Sequence, residues 1–393
     1  MEKTFNHIII LGFLIYLTGT FISLAIMNLG LGVSLLAWVI KKVINKEVKI
    51  NQTPYDRYII LFLIALLFSF VDSLNLVNSL DYLQRFLIPI ILFYLLVDVN
   101  PSLKVIRTLL VILFAAILFS LGQSLLQFYS GVARVHGNIF VMEFASILSF
   151  FLLYLISYIC WGRISLIPRI ILGLLSIIGI SSLIFTQTRG VWLAFLASLV
   201  LIIFIKNKSY LLYFLILVLI FVAVAPQIIP NQYINRFISI FDFKENKSNV
   251  TRLNLWRGAL LIYRDHWVNG IGLNNFSEVI IKEPYYQEPM VSTAHAHNNF
   301  LQLAAETGTI GLISFILLFG FILKDLYVNY KLERNYNLKL FFLASLGTII
   351  SYLAHGLTEY NLEDRFVGRL IWFIIAINLI LGQSKENNNQ GRG

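Results

Sequence analysis

Long apolar runs separated by short polar segments extend along almost the whole chain. A helix needs about 20 apolar residues to cross the hydrocarbon core of a bilayer. The runs predict twelve membrane-spanning helices, the second of which is short: 8–27, 29–40, 58–73, 83–97, 105–128, 139–160, 166–185, 190–205, 210–226, 300–323, 339–356 and 367–382. We therefore predict an all-α polytopic membrane protein. A hydrophobic share of 58% with only 13% charged residues agrees with this class, because soluble domains carry about 25% charged residues.

The predicted helices divide the chain into four parts. These are spans one to nine at 1–226, a helical periplasmic or extracellular loop domain at 227–299, spans ten to twelve at 300–383, and a polar tail at 384–393. Within the loop domain, residues 252–267 read as an amphipathic helix. The predicted apolar stripe of this helix consists of Leu253, Trp256, Leu260 and Tyr263, which recur at helical spacing.

Basic residues are concentrated in alternate loops, so they predict an orientation. With a cytoplasmic N-terminus, 18 of the 30 Lys and Arg fall on the cytoplasmic side, and seven lie in the loop domain. This asymmetry is the one that the positive-inside rule describes. It predicts that both termini are cytoplasmic, and it explains most of the net charge of +10 without a nucleic-acid partner. The single cysteine, Cys160, excludes an intramolecular disulfide.

Five arginines remain on the predicted outer side beyond the loop domain: Arg85, Arg134, Arg189, Arg365 and Arg369. Arginine near a membrane span is costly, so such residues usually have a partner or face a cavity. One interpretation pairs Arg85, Arg365 and Arg369 with outer acids, namely Asp72, Asp81, Glu359, Glu363 or Asp364. Arg189 has no acidic residue near it in the sequence, and its guanidinium could grip a phosphate with two hydrogen bonds.

The basic residues of the predicted outer helix, Arg252, Arg257 and Arg264, leave two interpretations open. The helix could lie on anionic lipid headgroups. Alternatively, at least one arginine reaches into a site, with Arg252 the first candidate and Arg257 a close second.

Two of the six histidines, His295 and His297, stand at the entrance of the tenth span. An ionisable group at this entrance, near the membrane–water interface, could contact both a lipid headgroup and a soluble substrate. Glu306 is nine residues beyond His297 and points to the opposite face of the helix, so we do not expect it to orient His297. A metal site is not favoured, because a third and a fourth ligand are missing. The alternative for His297 is a hydrogen bond to a loop carbonyl.

Small residues occupy one face of the tenth span, including Ala304, Ala305, Gly308 and Gly311. Faces of this kind are typical of membrane helices that pack closely against each other. The sequence therefore predicts a close helix contact beside the two histidines.

Several of these residues carry a resemblance to one family. The pair His297–Asn298, followed by nine residues and then Gly308-Thr-Ile-Gly311, resembles the signature of the O-antigen ligase and polymerase superfamily. Further matching segments, in the same order along the chain, are Arg134-Val-x-Gly137, Thr186-Gln-Thr-Arg189-Gly-Val-Trp192, Thr251-Arg252-x-x-x-Trp256 and Gly270-Ile-Gly272.

The resemblance implies a metal-independent membrane glycosyltransferase of the GT-C type without a cofactor. The implied donor is a glycan on undecaprenyl diphosphate. The implied acceptor is lipid A–core, or another glycan or wall acceptor, for a ligase, and a second lipid-linked repeat for a polymerase of O-antigen, capsule or teichuronic acid. It further implies that Arg189, Arg252 and His297 are essential. We expect substrate binding by Arg257, Arg134, His295, Asn298 and Arg85.

The local chemistry agrees with this implication. Arginines can stabilise the charge of a departing diphosphate in place of a metal. A histidine suits the removal of a proton from an acceptor hydroxyl. A transporter of lipid-linked glycans is the main alternative, but it should carry inverted repeats or charges in the middle of its spans, and Glu143 is the nearest case. A structural scaffold, the third alternative, would not need solitary outer arginines.

Overall fold

The computed structural model describes residues 2–47, 49–290 and 292–390, without the side chains of Glu2 and of 384–390. This part of the chain is helical and contains no strand. Its fifteen helices are α1 Glu2–Gly19, α2 Leu24–Asn45, α3 Asp56–Phe68, α4 Leu76–Val99, α5 Leu103–Tyr129, α6 Val141–Trp161, α7 Leu166–Phe185, α8 Arg189–Lys206, α9 Tyr210–Ile228, α10 Asn231–Ile238, α11 Lys247–Asp265, α12 Phe276–Val279, α13 Asn299–Leu332, α14 Tyr336–His355 and α15 Arg365–Gln390.

Ten of these helices are long and apolar enough to cross a membrane. Two more helices, α1 and α3, correspond to the first and third predicted spans. They are shorter, and α3 has only 13 residues. The protein is therefore an all-α, multi-pass membrane protein, as the sequence predicts. Residues 391–393 of the predicted polar tail lie outside the described residues.

The boundary of the first predicted span, 8–27, is wrong. The chain turns after Gly19, and Ser23 begins α2 by accepting a hydrogen bond from the backbone N–H of Ala25. The apolar pattern hides this turn because it continues through Phe21 and Ile22. Close approach at Gly30, where a Cβ would lie 2.3 Å from the Tyr16 nitrogen, allows α1 and α2 to pack as a tight hairpin,.

Loops alternate between two ends of the helix bundle, and one end carries the candidate chemistry. We call this end the site face; it consists of residues 20–23, 69–75, 130–140, 186–188, 229–290, 292–298 and 356–364. Contacts between distant loops hold it together. The Asn269 side chain donates to Asp72 Oδ2 over 2.9 Å. The opposite end, the far face, is joined by contacts such as the 2.9 Å ion pair between Lys42 and Asp98.

The segment between α9 and α13 has a small core of its own. Leu255, Ile262, Phe276 and Ile280 are fully buried in it, and Ala305 of α13 closes it from below. The predicted amphipathic helix is present as α11, but its predicted stripe is wrong, since Leu260 is 52% exposed. The sequence contains two apolar stripes on this helix, and only packing decides which of them is buried.

Helix α13 is interrupted at Gly308, whose φ of 61° and ψ of −164° are not helical. The break frees the carbonyl oxygens of Ala305 and Glu306. These accept hydrogen bonds from the backbone nitrogens of Ile271 and Gly272, over 3.1 and 3.0 Å. Gly308 was predicted on a small face for helix packing. Instead it opens the helix so that the loop 267–272 can dock, which places α11 next to the histidines.

We expect Gly308→Ala to destabilise the protein strongly. An added Cβ would lie 2.3 Å from the Val268 carbonyl oxygen, and the positive φ is unfavourable for alanine,. Backbone strain alone costs about 1–3 kcal/mol. Thermal unfolding of the purified protein in detergent measures the effect. Gly320→Ala in the same helix is the matched control, because nothing lies within 4 Å of its added Cβ. Equal midpoints for the two variants would contradict the interpretation of the break.

Candidate active site

The segment 295–298 is held on both sides before α13 begins. Asn298 caps the helix, since its side-chain oxygen accepts from the backbone nitrogens of Phe300 and Leu301 over 2.9 and 3.1 Å. Its side-chain nitrogen donates to the Leu357 carbonyl. On the other side, Trp256 of α11 donates to the Ala296 carbonyl over 3.0 Å. Since both ends of the Asn298 amide contact the backbone, its geometry is that of a positioning residue, and substrate binding by it stays a prediction.

His297 sits in an unusual backbone conformation with φ at 47°. Residues other than glycine rarely adopt this left-handed region, and such strain is concentrated at functional sites. The His297 side chain is 20% exposed, so one edge of the ring can reach a substrate.

Glu359, from the loop between α14 and α15, orients the His297 ring. Its Oε1 lies 2.8 Å from Nδ1 of His297. A proton on Nδ1 that is donated to Glu359 leaves Nε2 available as a base. Burial alone would raise the pKa of the Glu359 carboxyl, but the hydrogen bond and charge of His297, together with His295, lower it to about 2. Glu359 is therefore anionic near neutral pH.

Glu306 does not take this role, as expected from its position on the helix. Its carboxylate accepts from the backbone nitrogen of Phe276 over 3.2 Å and supports the start of α12. The residue that does orient His297 lies 62 positions away in the sequence.

Arg189 and Arg252 are the two arginines that the sequence predicts as essential to this site. Arg189, the first residue of α8, is 6% exposed and donates from Nη1 to the carbonyl and hydroxyl oxygens of Ser239, over 2.7 and 3.0 Å. Nη2 of Arg252 lies 3.6 Å from Oε2 of Glu359. Glu359 thus connects His297 to the arginines. Nε of Arg252 is buried and has no hydrogen-bond partner among the described residues.

Two further arginines complete what we call the first arginine cluster: Arg134, Arg189, Arg236 and Arg252. Arg134 donates to the Thr186 carbonyl over 2.9 Å. Arg236, on α10, donates to the Gln187 carbonyl over 3.3 Å. Both residues therefore contact the turn that precedes Arg189.

The cluster keeps an excess of positive charge. Burial lowers the pKa of Arg134, and the charge of Arg236 lowers it further. Burial also lowers the pKa of Arg236, and the charge of Arg252 lowers it further. The charges of these three arginines also act on Arg189. Among the described side chains, the ion pair with Glu359 is the only one that the cluster forms. A partly buried group of guanidinium donors with so little compensation is suited to bind a phosphate or diphosphate.

The remaining predicted residues fall in different places. The His295 ring is 4.1 Å from the His297 ring, centre to centre, so it lines the same site. Arg257 is exposed and lies about 140° around α11 from Arg252,, so the geometry favours Arg252 over Arg257. Arg85 is not in the first cluster; it donates to the Glu363 carbonyl over 2.8 Å.

The structure does not support ion pairs between the outer arginines and the outer acids. Arg85 contacts a backbone oxygen, and Arg369 donates to the side-chain oxygen of Asn28 over 2.7 Å. Among the described side chains, neither these two nor Arg365 lies within ion-pair distance of a carboxylate. The charge of Arg85 nevertheless acts on Glu363 and Asp364, so the pairing of Arg85 with outer acids stays a prediction.

Sequence reasoning missed Arg236 and the role of Glu359. Arg236 lies in an eight-residue helix that no apolar run or motif marks. Glu359 was considered only as a partner for outer arginines. The one available signal was its place in an acidic loop on the same predicted side as His297.

A metal ion could find three ligands here. Ligand atoms of His295, His297 and Glu359 lie within 4.8 Å of one another, so the expectation that a third ligand is missing was wrong. Histidine nitrogen and carboxylate oxygen are both zinc ligands. However, the second oxygen of Glu359 faces the guanidinium of Arg252, and this positive charge opposes a cation at the same place.

Acidification is expected to destabilise the site through His295. Burial, followed by the charge of His297, lowers the pKa of His295 from 6.5 to about 4. Between these values the unfolded chain binds a proton that the folded chain does not, so stability is present above about pH 6.5 and is lost toward pH 4,. His295→Asn should flatten the fall of the unfolding midpoint from pH 7 to pH 5. An unchanged slope in this variant would contradict the assignment.

Glu359→Gln is expected to lower kcat by about tenfold or more, because the substitution removes the carboxylate that orients the ring of His297, the predicted base,. The measurement is the rate of the transfer reaction proposed below, at several donor concentrations. KM for the donor should change less than kcat, and Glu359→Asp should recover part of the rate. A purely structural role would instead lower the amount of folded protein without this recovery.

The fold and the site define a class of protein: a multi-pass membrane protein with an arginine cluster and a histidine–glutamate pair on one face. Residues 174–316 match the family model described as O-antigen ligase, which supports the resemblance of this part of the chain to the O-antigen ligase and polymerase superfamily. The match includes Arg189, Arg236, Arg252 and His297, whereas Glu359 lies beyond it. No curated protein matches the chain.

Proposed function

We propose that the protein transfers a glycan from undecaprenyl diphosphate to an acceptor hydroxyl, without a metal and with inversion at the sugar carbon. The observation that carries the proposal is the 3.6 Å contact between Arg252 and Glu359. It joins the first arginine cluster to the 2.8 Å pair of His297 and Glu359. Anion binding and a general base therefore lie side by side, as glycosyl transfer from a diphosphate requires.

The arginines act on the leaving group. As the bond between the sugar carbon and the diphosphate oxygen breaks, negative charge grows on the diphosphate. Donors that are already in place stabilise this charge best. Arg189 is held by Ser239 and Arg134 by the turn at Thr186, so neither has to be reoriented during the reaction.

His297 acts on the acceptor. Nε2 removes the hydroxyl proton while the acceptor oxygen forms its bond to the sugar carbon. The proton stays on His297, whose positive charge is stabilised by Glu359, and the diphosphate leaves with the electron pair of the broken bond. Direct displacement of this kind inverts the sugar carbon.

The distribution of charge supports a location in the bacterial plasma membrane. Helices α7 and α9 expose apolar side chains, and α9 contains no buried residue, in agreement with contact to membrane lipid. The far face carries most Lys and Arg residues, including Lys42, Lys206 and Lys339. By the positive-inside rule this face, with both termini, is cytoplasmic, and the site face with the domain 227–299 is outside.

The test is a transfer assay in proteoliposomes with a labelled glycan on undecaprenyl diphosphate. Label that enters longer lipid-linked chains identifies a polymerase. Label that moves only when lipid A–core, a wall glycan or a protein acceptor is added identifies a ligase. A chelator should leave the rate unchanged. Label that crosses the bilayer without a new bond would overturn the proposal in favour of a transporter.

A further inference from the structure

A cavity of about 260 Å³ lies among the membrane-spanning helices, away from the candidate active site. Helices α5, α6 and α15 supply most of its lining, and α7 and α14 each add one residue, Leu172 and Phe341. All of its lining residues lie outside the site face. Along α6 the lining extends from Ile147 to Tyr158, a length of about 16 Å at 1.5 Å per residue,. The cavity is therefore elongated along the direction of the helices.

The lining of this cavity is apolar. Among its lining residues, only Tyr154 and Tyr158 carry a polar side-chain group. Both hydroxyls already have partners: that of Tyr154 lies 2.6 Å from Ser345 Oγ, and that of Tyr158 donates to the Asn337 carbonyl over 2.9 Å. Apolar cavities of this kind stay dry, and one of about 150 Å³ is large enough for benzene. The cavity thus suits a segment of a hydrocarbon chain, and hydrocarbon chains surround these helices in a membrane.

Two arginines stand at the end of the cavity that is nearer the far face. Arg107 on α5 comes three residues before the lining residue Leu110, and Arg169 on α7 comes three residues before the lining residue Leu172. Residues three apart share a helix face. Helices α5 and α7 contact each other, and both run from the far face to the site face. Each arginine therefore lies on the far-face side of its leucine, at the depth of the membrane interface.

The positive charge of these two arginines is not compensated by a neighbouring acid. Both are exposed, and among the described side chains neither lies within ion-pair distance of a carboxylate. Arg169 donates to a neutral oxygen, the Gly162 carbonyl, over 3.0 Å. Asp98, the last acidic residue before α5, is paired with Lys42 over 2.9 Å. An anion at the far-face end of the cavity would supply the missing negative charge.

We propose that the cavity binds an acyl chain of an anionic phospholipid from the far-face leaflet, with the lipid phosphate at Arg107 and Arg169. The apolar lining selects the chain. The guanidinium groups select the headgroup, because they bind phosphate oxygens in pairs of hydrogen bonds. A polyprenyl diphosphate fits less well, since the proposed function places its diphosphate at the opposite end of the helices. The inference concerns a second lipid site and does not depend on the proposed function.

Native mass spectrometry of the full chain in detergent tests the proposal, with dioleoyl phosphatidylglycerol as the probe. Dioleoyl phosphatidylcholine is the matched lipid, because it has the same chains and no net charge. The wild type should bind phosphatidylglycerol more tightly by roughly tenfold or more. Arg107→Gln and Arg169→Gln should each remove most of this preference. Arg57→Gln is the control variant, because this exposed arginine is also near the far-face start of a helix, but its guanidinium lies 4.6 Å from the centre of the Tyr58 ring and outside the cavity lining.

Leu110→Trp tests the acyl chain separately. A larger side chain at this half-buried position fills part of the cavity, so both phospholipids should bind less tightly while phosphatidylglycerol stays preferred. Leu172→Trp is a second variant of the same kind, and circular dichroism selects the variants that are folded. Unchanged lipid binding in these folded tryptophan variants would overturn the inference.

Three further outcomes would also overturn it. One is equal binding of the two phospholipids by the wild type. Another is a loss of preference in Arg57→Gln as large as that in Arg107→Gln, which would show attraction to the basic surface as a whole. The third is displacement of phosphatidylglycerol by an equimolar amount of undecaprenyl phosphate, which would assign the cavity to a polyprenyl chain. The transfer assay above tests the proposed function independently of all these results.

Discussion

Replacing His297 by alanine should lower the transfer rate by about 10²–10⁴-fold, the usual contribution of a general base. The donor should still bind, because the first arginine cluster does not contain His297. The loss should therefore fall mainly on kcat, with a smaller change in KM for the donor. Initial rates in proteoliposomes at several donor concentrations measure both constants.

A second variant separates the loss of the base from backbone strain. His297 has a φ of 47°, which alanine tolerates poorly and asparagine tolerates better. His297→Asn should therefore keep the local backbone but lack the base, and it should be as inactive as His297→Ala. His266→Ala, at the end of α11 on the same face, serves as the control. Substantial activity in a folded His297→Asn variant would exclude His297 as the base.

The second large effect is expected for Arg189→Gln, which should lower kcat by about 10²–10³-fold. Removal of one donor that stabilises developing negative charge has an effect of this size. Arg189→Lys should recover only part of the rate, since lysine keeps the charge but not the two-pronged hydrogen bonding. The same transfer assay, with the donor at saturation, isolates kcat.

Arg189 also holds the segment 239–246, so a structural effect has to be separated from the electrostatic one. Ser239→Ala removes one of the hydrogen bonds that Arg189 donates, at 3.0 Å, and leaves the guanidinium in place. We expect a loss far smaller than that of Arg189→Gln. Equal losses in the two variants would show that Arg189 acts by holding the loop and not by stabilising the leaving group.

The sequence was sufficient for the class of protein and for the order of the helices. Membrane spans are long and uniformly apolar, because a helix in a bilayer must be apolar over its whole length. Such a pattern is local, so it can be recognised in the sequence without knowledge of the fold. His297, Arg189 and Arg252 were also recognisable, because each stands in a short motif of its own.

The sequence was less informative wherever packing chooses between equivalent patterns. The first span boundary was wrong because apolar residues continue through the turn after Gly19. The buried stripe of α11 was wrong because two apolar stripes compete. Gly308 was predicted to be a packing residue. Its conformation instead depends on a loop about 40 positions earlier in the chain. The Trp267 carbonyl of that loop accepts a hydrogen bond from the backbone nitrogen of Thr309.

The sequence by itself thus determined an all-α membrane protein, and its short motifs predicted a site of arginines and a histidine. Only the tertiary structure decided which groups lie together: Glu359 beside His297, and Arg236 in the first arginine cluster. The reason is physical. The helices are specified by local hydrophobicity, but the site is assembled from loops at one end of the bundle. Their contacts join residues that no local periodicity relates.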